Sequence, residues 1–229
     1  YIGDWSSDVC SSDLERFMEL RELSLAVQKG SGKQSKQLVK EALEQGLKPA
    51  DILNNGLIAA MGEIGDKFKE GQIYVPEMLI AAKAMQAGLK VLAPSLKAEG
   101  VEPIGKAVIG TVKGDLHDIG KNLVKMMMDG AGIEMVDLGV DVPEEKFVEK
   151  AEEIGADIIC LSALLTTTMP AIETTIKAFE DKGIKDKYIF MIGGAPVSEE
   201  YAKQVHADYY TTDAAAAADV AKKVLQEKK

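Results

Sequence analysis

Apolar positions along the chain repeat with two different periods, and the change falls near residue 100. From Asp13 to Ala93 they recur every three to four residues, the period of helices with one buried face. Ser12-Asp13-Leu14-Glu15 reads as a capping box for a first helix, with Leu14, Phe17, Met18 and Leu25 sharing a face. A second helix is expected from about Lys33 to Gln45, with Leu38, Val39, Ala42 and Leu43 as its stripe and Gly46 as its stop. Pro49 suits the first turn of a third, which turns Ile52, Leu53, Leu57, Met61, Ile64 and Phe68 inward. Pro76 opens a fourth, carrying Met78, Leu79, Ala82, Met85 and Leu89, and Pro94 is expected to close it. Four helices with short links predict a small bundle.

Leu96 to Pro103 is polar and holds Gly and Pro, as a linker does. Beyond it, runs rich in Val, Ile and Ala alternate with amphipathic stretches. Strands are expected at Lys106–Val112, Glu134–Leu138, Ala156–Ala163, Tyr188–Ile192 and Asp208–Thr211. Helices are expected at about Gly120–Gly130, Glu144–Ile154, Pro170–Lys182, Ser198–Val205 and Asp213–Gln226. Five β-α repeats with apolar strands predict a doubly wound, flavodoxin-like (Rossmann-type) parallel five-stranded sheet of order 2-1-3-4-5. The fold class is therefore α/β, with an N-terminal four-helix bundle in front. The division is a disordered or non-native tail at 1–13, a helical domain at 14–95, a linker at 96–103 and the α/β domain at 104–229. The tail is excluded because its opening, YIGDWSSDVCSS, has no period.

Charge narrows the function classes. The chain carries 27 Lys plus Arg against 37 Asp plus Glu, a net charge of −10, and no basic block. That is a poor nucleic-acid binder, because phosphate neutralisation needs clustered cations. No apolar run approaches the roughly 20 residues of a membrane helix, and no secretory leader is visible. Two cysteines, Cys10 and Cys160, are too few for a disulfide scaffold, so the cytoplasm is the expected compartment.

The chemistry-bearing residues fall at the carboxyl ends of the predicted strands, where doubly wound sheets bind ligands. Strand 1 ends in Lys113-Gly114-Asp115-Leu116-His117-Asp118-Ile119-Gly120, and strand 3 in Ser162-Ala163-Leu164-Leu165-Thr166-Thr167-Thr168. Strand 4 ends in Gly193-Gly194. A neutral imidazole at His117 is a good transition-metal ligand, and Asp115 is placed to accept its other ring N–H. A structural His–Asp loop pair explains the same residues. One His cannot hold a bare zinc or iron, so a metal here would arrive inside a cofactor. The glycines serve either as turn and packing residues or as backbone that a bulky ligand approaches. Ser162 and the threonines either cap the next helix or bind a polar ligand. His206 reads as a surface residue.

Taken together, Asp115-x-His117-x-x-Gly120, Ser162-x-Leu164 and Gly193-Gly194 resemble the cobalamin-binding domain. The preceding bundle, with Gly71-Gln72-Ile73-Tyr74-Val75-Pro76-Glu77-Met78, resembles the helical cap of cobalamin-dependent methionine synthase. The chain as a whole is similar to the stand-alone corrinoid proteins of anaerobic methanol, methylamine, betaine or methoxyaromatic methyltransferase systems. That resemblance implies a corrinoid, cobalamin or a relative, with His117 as the axial ligand of its cobalt. It implies a relay through Asp115 to Thr168, where methionine synthase carries a Ser. It places Gly114, Asp118, Ile119 and Gly120 against the cofactor, with Ser162, Leu164, Thr166, Gly193 and Gly194 along the slot for its nucleotide tail. Tyr74, Val75 and Met78 would cover the methyl-bearing face.

The implied role is a methyl carrier that is not catalytic alone. Its cobalt would accept a methyl group from a substrate-specific methyltransferase. A second methyltransferase, with tetrahydrofolate or coenzyme M as acceptor, would take it on, and a reductive activating protein would serve the system. A phospho-receiver of the same fold would need an Asp at the end of strand 3, and a flavodoxin a hydroxyl-rich loop after strand 1. A cobalamin-dependent mutase subunit would lack the bundle. The remaining alternative is a cobalamin-binding sensor or regulatory protein, which would need a DNA-binding module absent from this acidic chain.

Overall fold

The computed structural model describes residues 11–228, with side chains from Met18 onward. The chain divides into two compact units, with the boundary between Glu102 and Pro103.

The first unit is helical. Helix α1 spans Ser11–Gln28, α2 Gly32–Glu44, α3 Pro49–Asp51, α4 Ala59–Lys69 and α5 Val75–Ala98. Between α3 and α4 a π-helical stretch, Ile52–Ile58, continues the rod without a break. Gly56 lies in it, and a Cβ there would come within 2.6 Å of Leu23 Cδ2, so α1 packs directly on its backbone. Leu23, Val27, Val39, Ile52, Leu57, Leu92 and Met78 form the core. The face expected on α1 is corrected. Leu20, Leu23, Ser24 and Val27 turn inward, while Met18 is 56% and Leu25 38% exposed. Two stripes overlap in this sequence, and packing against the neighbouring helices selects one. The expected cap at Ser12 is also corrected: α1 is already under way at Ser11, so Ser11–Asp13 belong to it rather than to a tail. Residues 1–10, with Cys10 and most of the expected tail, lie outside the described residues, as do the side chains of Leu14 and Phe17.

Helix α5 runs through Pro94 to Ala98, so Pro94 does not close it, and 96–98 are helix rather than linker. Proline removes one N–H and frees the carbonyl four residues earlier. Here Pro94 and Lys90 are both exposed, while Leu92 and Leu96 stay buried and keep the stripe going.

The second unit is a five-stranded parallel sheet of order β2-β1-β3-β4-β5. Strands β1 Lys106–Thr111, β2 Glu134–Asp137, β3 Ile158–Ser162, β4 Ile189–Gly193 and β5 Tyr209–Tyr210 alternate with α6 Ile119–Gly130, α7 Glu144–Ile154, α8 Pro170–Asp181, α9 Glu199–Gln204 and α10 Ala214–Glu227. This is the expected doubly wound α/β architecture, with element ends within two residues of the predicted ones. β1 and β3 read as unbroken apolar runs because helices cover both their faces. The core joins Val108, Ile159 and Ile192 to Phe147, Phe179 and Phe190. Phe179 meets Phe190 edge-on at 5.0 Å and Tyr188 at 5.3 Å. Gly110 lets Phe147 close on β1, since a Cβ there would lie 2.7 Å from its ring. Cys160 is buried beside Met128.

Candidate functional site

The site is built at the carboxyl ends of β1 and β3, adjacent strands from which the chain departs in opposite directions across the sheet. After Thr111 the chain passes through Val112 to Asp118 and enters α6 at Ile119. Two fully buried side chains hold this loop. Thr111 donates its hydroxyl to the His117 carbonyl at 2.7 Å. Asp115 takes donors on both carboxylate oxygens. Its Oδ1 accepts the His117 N–H at 3.1 Å and lies 2.7 Å from the ring Nδ1. Its Oδ2 accepts the Thr168 hydroxyl at 2.6 Å and the N–H groups of Leu164 at 2.8 Å and Leu165 at 3.3 Å.

Burial alone would raise the pKa of Asp115. The Thr168 hydroxyl, the Leu164 N–H and the His117 donors outweigh it and hold the carboxyl well below the usual carboxylate range. An ionised carboxylate only accepts, so the ring nitrogen facing it carries the proton, and the Nε2 of the neutral ring is left with a lone pair. Among the described residues Nε2 has no protein partner, and the His117 side chain is 51% exposed. The site therefore presents one basic nitrogen outward from a rigid mount.

The surroundings are open and apolar. Leu116, Ile119, Leu164 and Leu165 are exposed on the same sheet edge. A Cβ built on Gly120 or Gly193 would meet no atom within 4 Å, so the space in front of both backbones is free. Gly194 is different. Its φ of +137° and a Cβ that would fall 1.7 Å from the Ala163 carbonyl oxygen make it the place where the ends of β3 and β4 close on each other. Ser162, half-buried, pairs in register with Thr111 and Gly193. Thr166 is exposed, whereas Thr168 is buried against Asp115. Asp118 precedes α6, makes no capping bond and accepts from Asn122 at 3.1 Å.

Two family models, each described as a B12 binding domain, match the chain, one over residues 105–219 and the other over residues 19–93. A corrinoid protein of Desulfitobacterium hafniense is 39% identical over 209 residues, which is 90% of this chain and 97% of that protein. The chain belongs to the corrinoid protein family. Dimethylamine corrinoid protein 1 of Methanosarcina mazei is 42% identical, covering 81% of this chain and 86% of that one. Among solved structures, the methanol:cobalamin methyltransferase complex MtaBC of Methanosarcina barkeri aligns with a TM-score of 0.82 at 26% identity, over 96% of this chain and 86% of that one.

The cofactor of this corrinoid protein is cobalamin or a related corrinoid. The residues present fit it: an outward imidazole on a fixed mount, an apolar rim and free space before two glycines suit a large planar metal macrocycle. Among the described residues no cluster of His, Cys, Asp or Glu could hold a bare metal ion, and no helix is long and apolar enough to cross a membrane.

The structure brings Gly114, Asp115, His117, Asp118, Ile119, Gly120, Ser162, Leu164, Thr166, Thr168, Gly193 and Gly194 to one edge of the sheet. The other three expected residues lie in the helical unit at the start of α5. There Tyr74 is 71% exposed and Val75 is half-buried. Met78, at 2%, belongs to the bundle core, because the stripe it shares with Ala82 and Met85 faces the other helices. Thr111 was not anticipated, since a threonine ending a strand looks like any other β-branched residue. Leu116 was not singled out either, and Ile119 was expected only through the family resemblance; both are exposed apolar residues.

Proposed function

We propose that this corrinoid protein is a methyl carrier, receiving a methyl group from a substrate-specific methyltransferase and delivering it to a second one. When bound, the corrinoid supplies the cobalt centre that holds and releases the methyl group. The protein supplies ligation, orientation and shielding. His117 binds the metal through Nε2, and Asp115 holds the ring in the tautomer this requires. Thr168 extends the relay by donating to Asp115, so that a proton can be retained or lost along it as ligation changes. Ser162, Leu164, Thr166, Gly193 and Gly194 would hold the nucleotide tail, and Gly114, Asp118, Ile119 and Gly120 would line the rest of the cofactor site. The single observation that carries this reading is the outward Nε2, without a partner among the described residues, of a histidine locked from beneath by a buried carboxylate.

The named relatives point to the donor class. Those that are dimethylamine and trimethylamine corrinoid proteins, and the methanol complex, support a small methylated amine or alcohol held by a partner methyltransferase. The acceptor is tetrahydrofolate or coenzyme M on the second enzyme, and a reductive activating protein returns oxidised cofactor to the cycle. The cytoplasm suits such a set of partners. Reconstitution with hydroxocobalamin tests the reading, with about one cobalt per chain expected and a spectrum that shifts in His117→Ala. A chain that stays cobalt-free, or a His117→Ala spectrum like the wild type, overturns it.

A further inference from the structure

We infer that the end of β2 and the loop from it to α7 are a positioning element for His117, gripping the histidine segment at both ends through Asp137 and Asp141. The inference rests on the reading of His117 as the metal ligand.

The first grip is at Gly114-Asp115. Asp141 Oδ1 accepts the Gly114 N–H at 2.7 Å, and the Asp141 N–H donates to the Asp115 carbonyl at 2.9 Å. One residue thus bonds both sides of the peptide that leads into the carboxylate under His117. Asp141 does this from a left-handed backbone, φ 51°, which is uncommon for a residue with a side chain and persists where surrounding bonds demand it. Around it the loop is zipped to the end of β1: Thr111 N–H donates to Gly139 O and Val142 N–H to Thr111 O, each at 3.0 Å.

The second grip is at the first turn of α6. Lys121, four residues after His117, is 3% exposed, and its Nζ lies 2.7 Å from both oxygens of Asp137 at the end of β2. The same ammonium reaches Asn122 Oδ1 at 2.7 Å, and Asp137 Oδ1 also takes the Gly139 N–H at 2.8 Å. Charge-assisted bonds of this kind, here with a buried ammonium and an exposed carboxylate, are stronger than neutral ones. The five exposed residues 116–120 are therefore strung between two fixed points supplied by one strand end and its loop. Asp115 sets the ring's tautomer, and the end of β2 with its loop sets where Asp115 and α6 stand.

Asp141→Gly tests the first grip, because glycine keeps the left-handed backbone at no cost and removes only the carboxylate. Asp141→Asn keeps an acceptor and should rescue. In protein without cofactor, the Gly114 amide should exchange with solvent faster in the Gly variant and as in wild type in the Asn variant. Loaded with hydroxocobalamin and reduced to cobalt(II), the Gly variant should lose part of the histidine nitrogen splitting in its electron paramagnetic resonance spectrum. It should also release cofactor about 10–100-fold faster, as outer-shell changes do. The Lys121→Met, Asp137→Leu double variant, which replaces the ion pair with apolar groups, tests the second grip by the same splitting. Wild-type splitting and wild-type Gly114 exchange in Asp141→Gly overturn the first grip, and wild-type splitting in the double variant overturns the second. Wild-type protein that binds no corrinoid or shows no nitrogen splitting instead sinks the reading of His117 as ligand.

Discussion

Nδ1 of His117 lies 2.7 Å from Oδ1 of Asp115, and the carboxylate is fully buried while the imidazole is half exposed. The pair is an anchor with its working end outward. Every hydrogen bond the Asp115 carboxylate makes comes from a donor, on the His117 segment at one oxygen and on the β3–α8 loop at the other. One side chain thus ties together the two loops that border the site.

Asp115→Asn should for this reason be far from silent. An amide NH2 replaces one of two acceptors, so it faces donors whichever way it is turned. Turned toward His117, it makes Nδ1 an acceptor and moves the ring proton to Nε2, the nitrogen meant for the metal. Urea unfolding of the apoprotein should show a loss of about 1–3 kcal/mol from the unsatisfied buried donors. The visible spectrum of the reconstituted variant should show that histidine ligation is lost. A wild-type spectrum would mean that the tautomer is not set by Asp115.

The same carboxyl should shape the acid limb of stability. Its folded pKa lies below the ordinary value of about 4, so the folded state binds fewer protons than the unfolded one in that range. Its contribution is present above the unfolded pKa and is lost as pH falls through the folded one. Wild type should therefore lose stability below about pH 5 more steeply than Asp115→Asn, and the gap between them should narrow with acidification. Parallel curves for the two proteins would contradict this.

Gly193 and Gly194 should respond oppositely to alanine. At Gly194 the added methyl strikes a backbone carbonyl in a left-handed conformation, and the apoprotein should lose roughly 3 kcal/mol or more. At Gly193 the methyl enters free space, so thermal unfolding of the apoprotein should be nearly unchanged while corrinoid affinity falls. Unchanged affinity in Gly193→Ala would remove that glycine from the cofactor slot.

Cys160 should be inert in the folded protein. Burial pushes its thiol up to about 12, and the thiolate is the reactive form. Peptide mapping after iodoacetamide treatment at neutral pH should find Cys160 unmodified until denaturant is added. Labelling under native conditions would show that β3 opens.

Helix and strand periods, with the glycines and prolines between them and the order usual for this fold class, were enough to read the α/β architecture and the strand order. They suffice because burial of an apolar stripe or an apolar run is a local pattern written in consecutive residues. The sequence motifs likewise marked Asp115, His117, Gly193 and Gly194, since each sits at a strand end where the fold class puts ligands. The buried face of α1 was decided by packing, because Met18–Leu25 and Leu20–Leu23–Val27 are both acceptable stripes until neighbouring helices choose. Pro94 stayed within α5 because it falls on the exposed side of the helix while Leu92 and Leu96 continue the buried stripe. The partners of Asp115 were hidden for a related reason. Thr168, Leu164 and Leu165 lie about 50 residues away, and Asp141 reaches the Gly114 N–H across a different loop. Hydrogen bonds between distant segments leave no periodic trace in the chain, so only the folded sheet, which brings those loops to one edge, determines them.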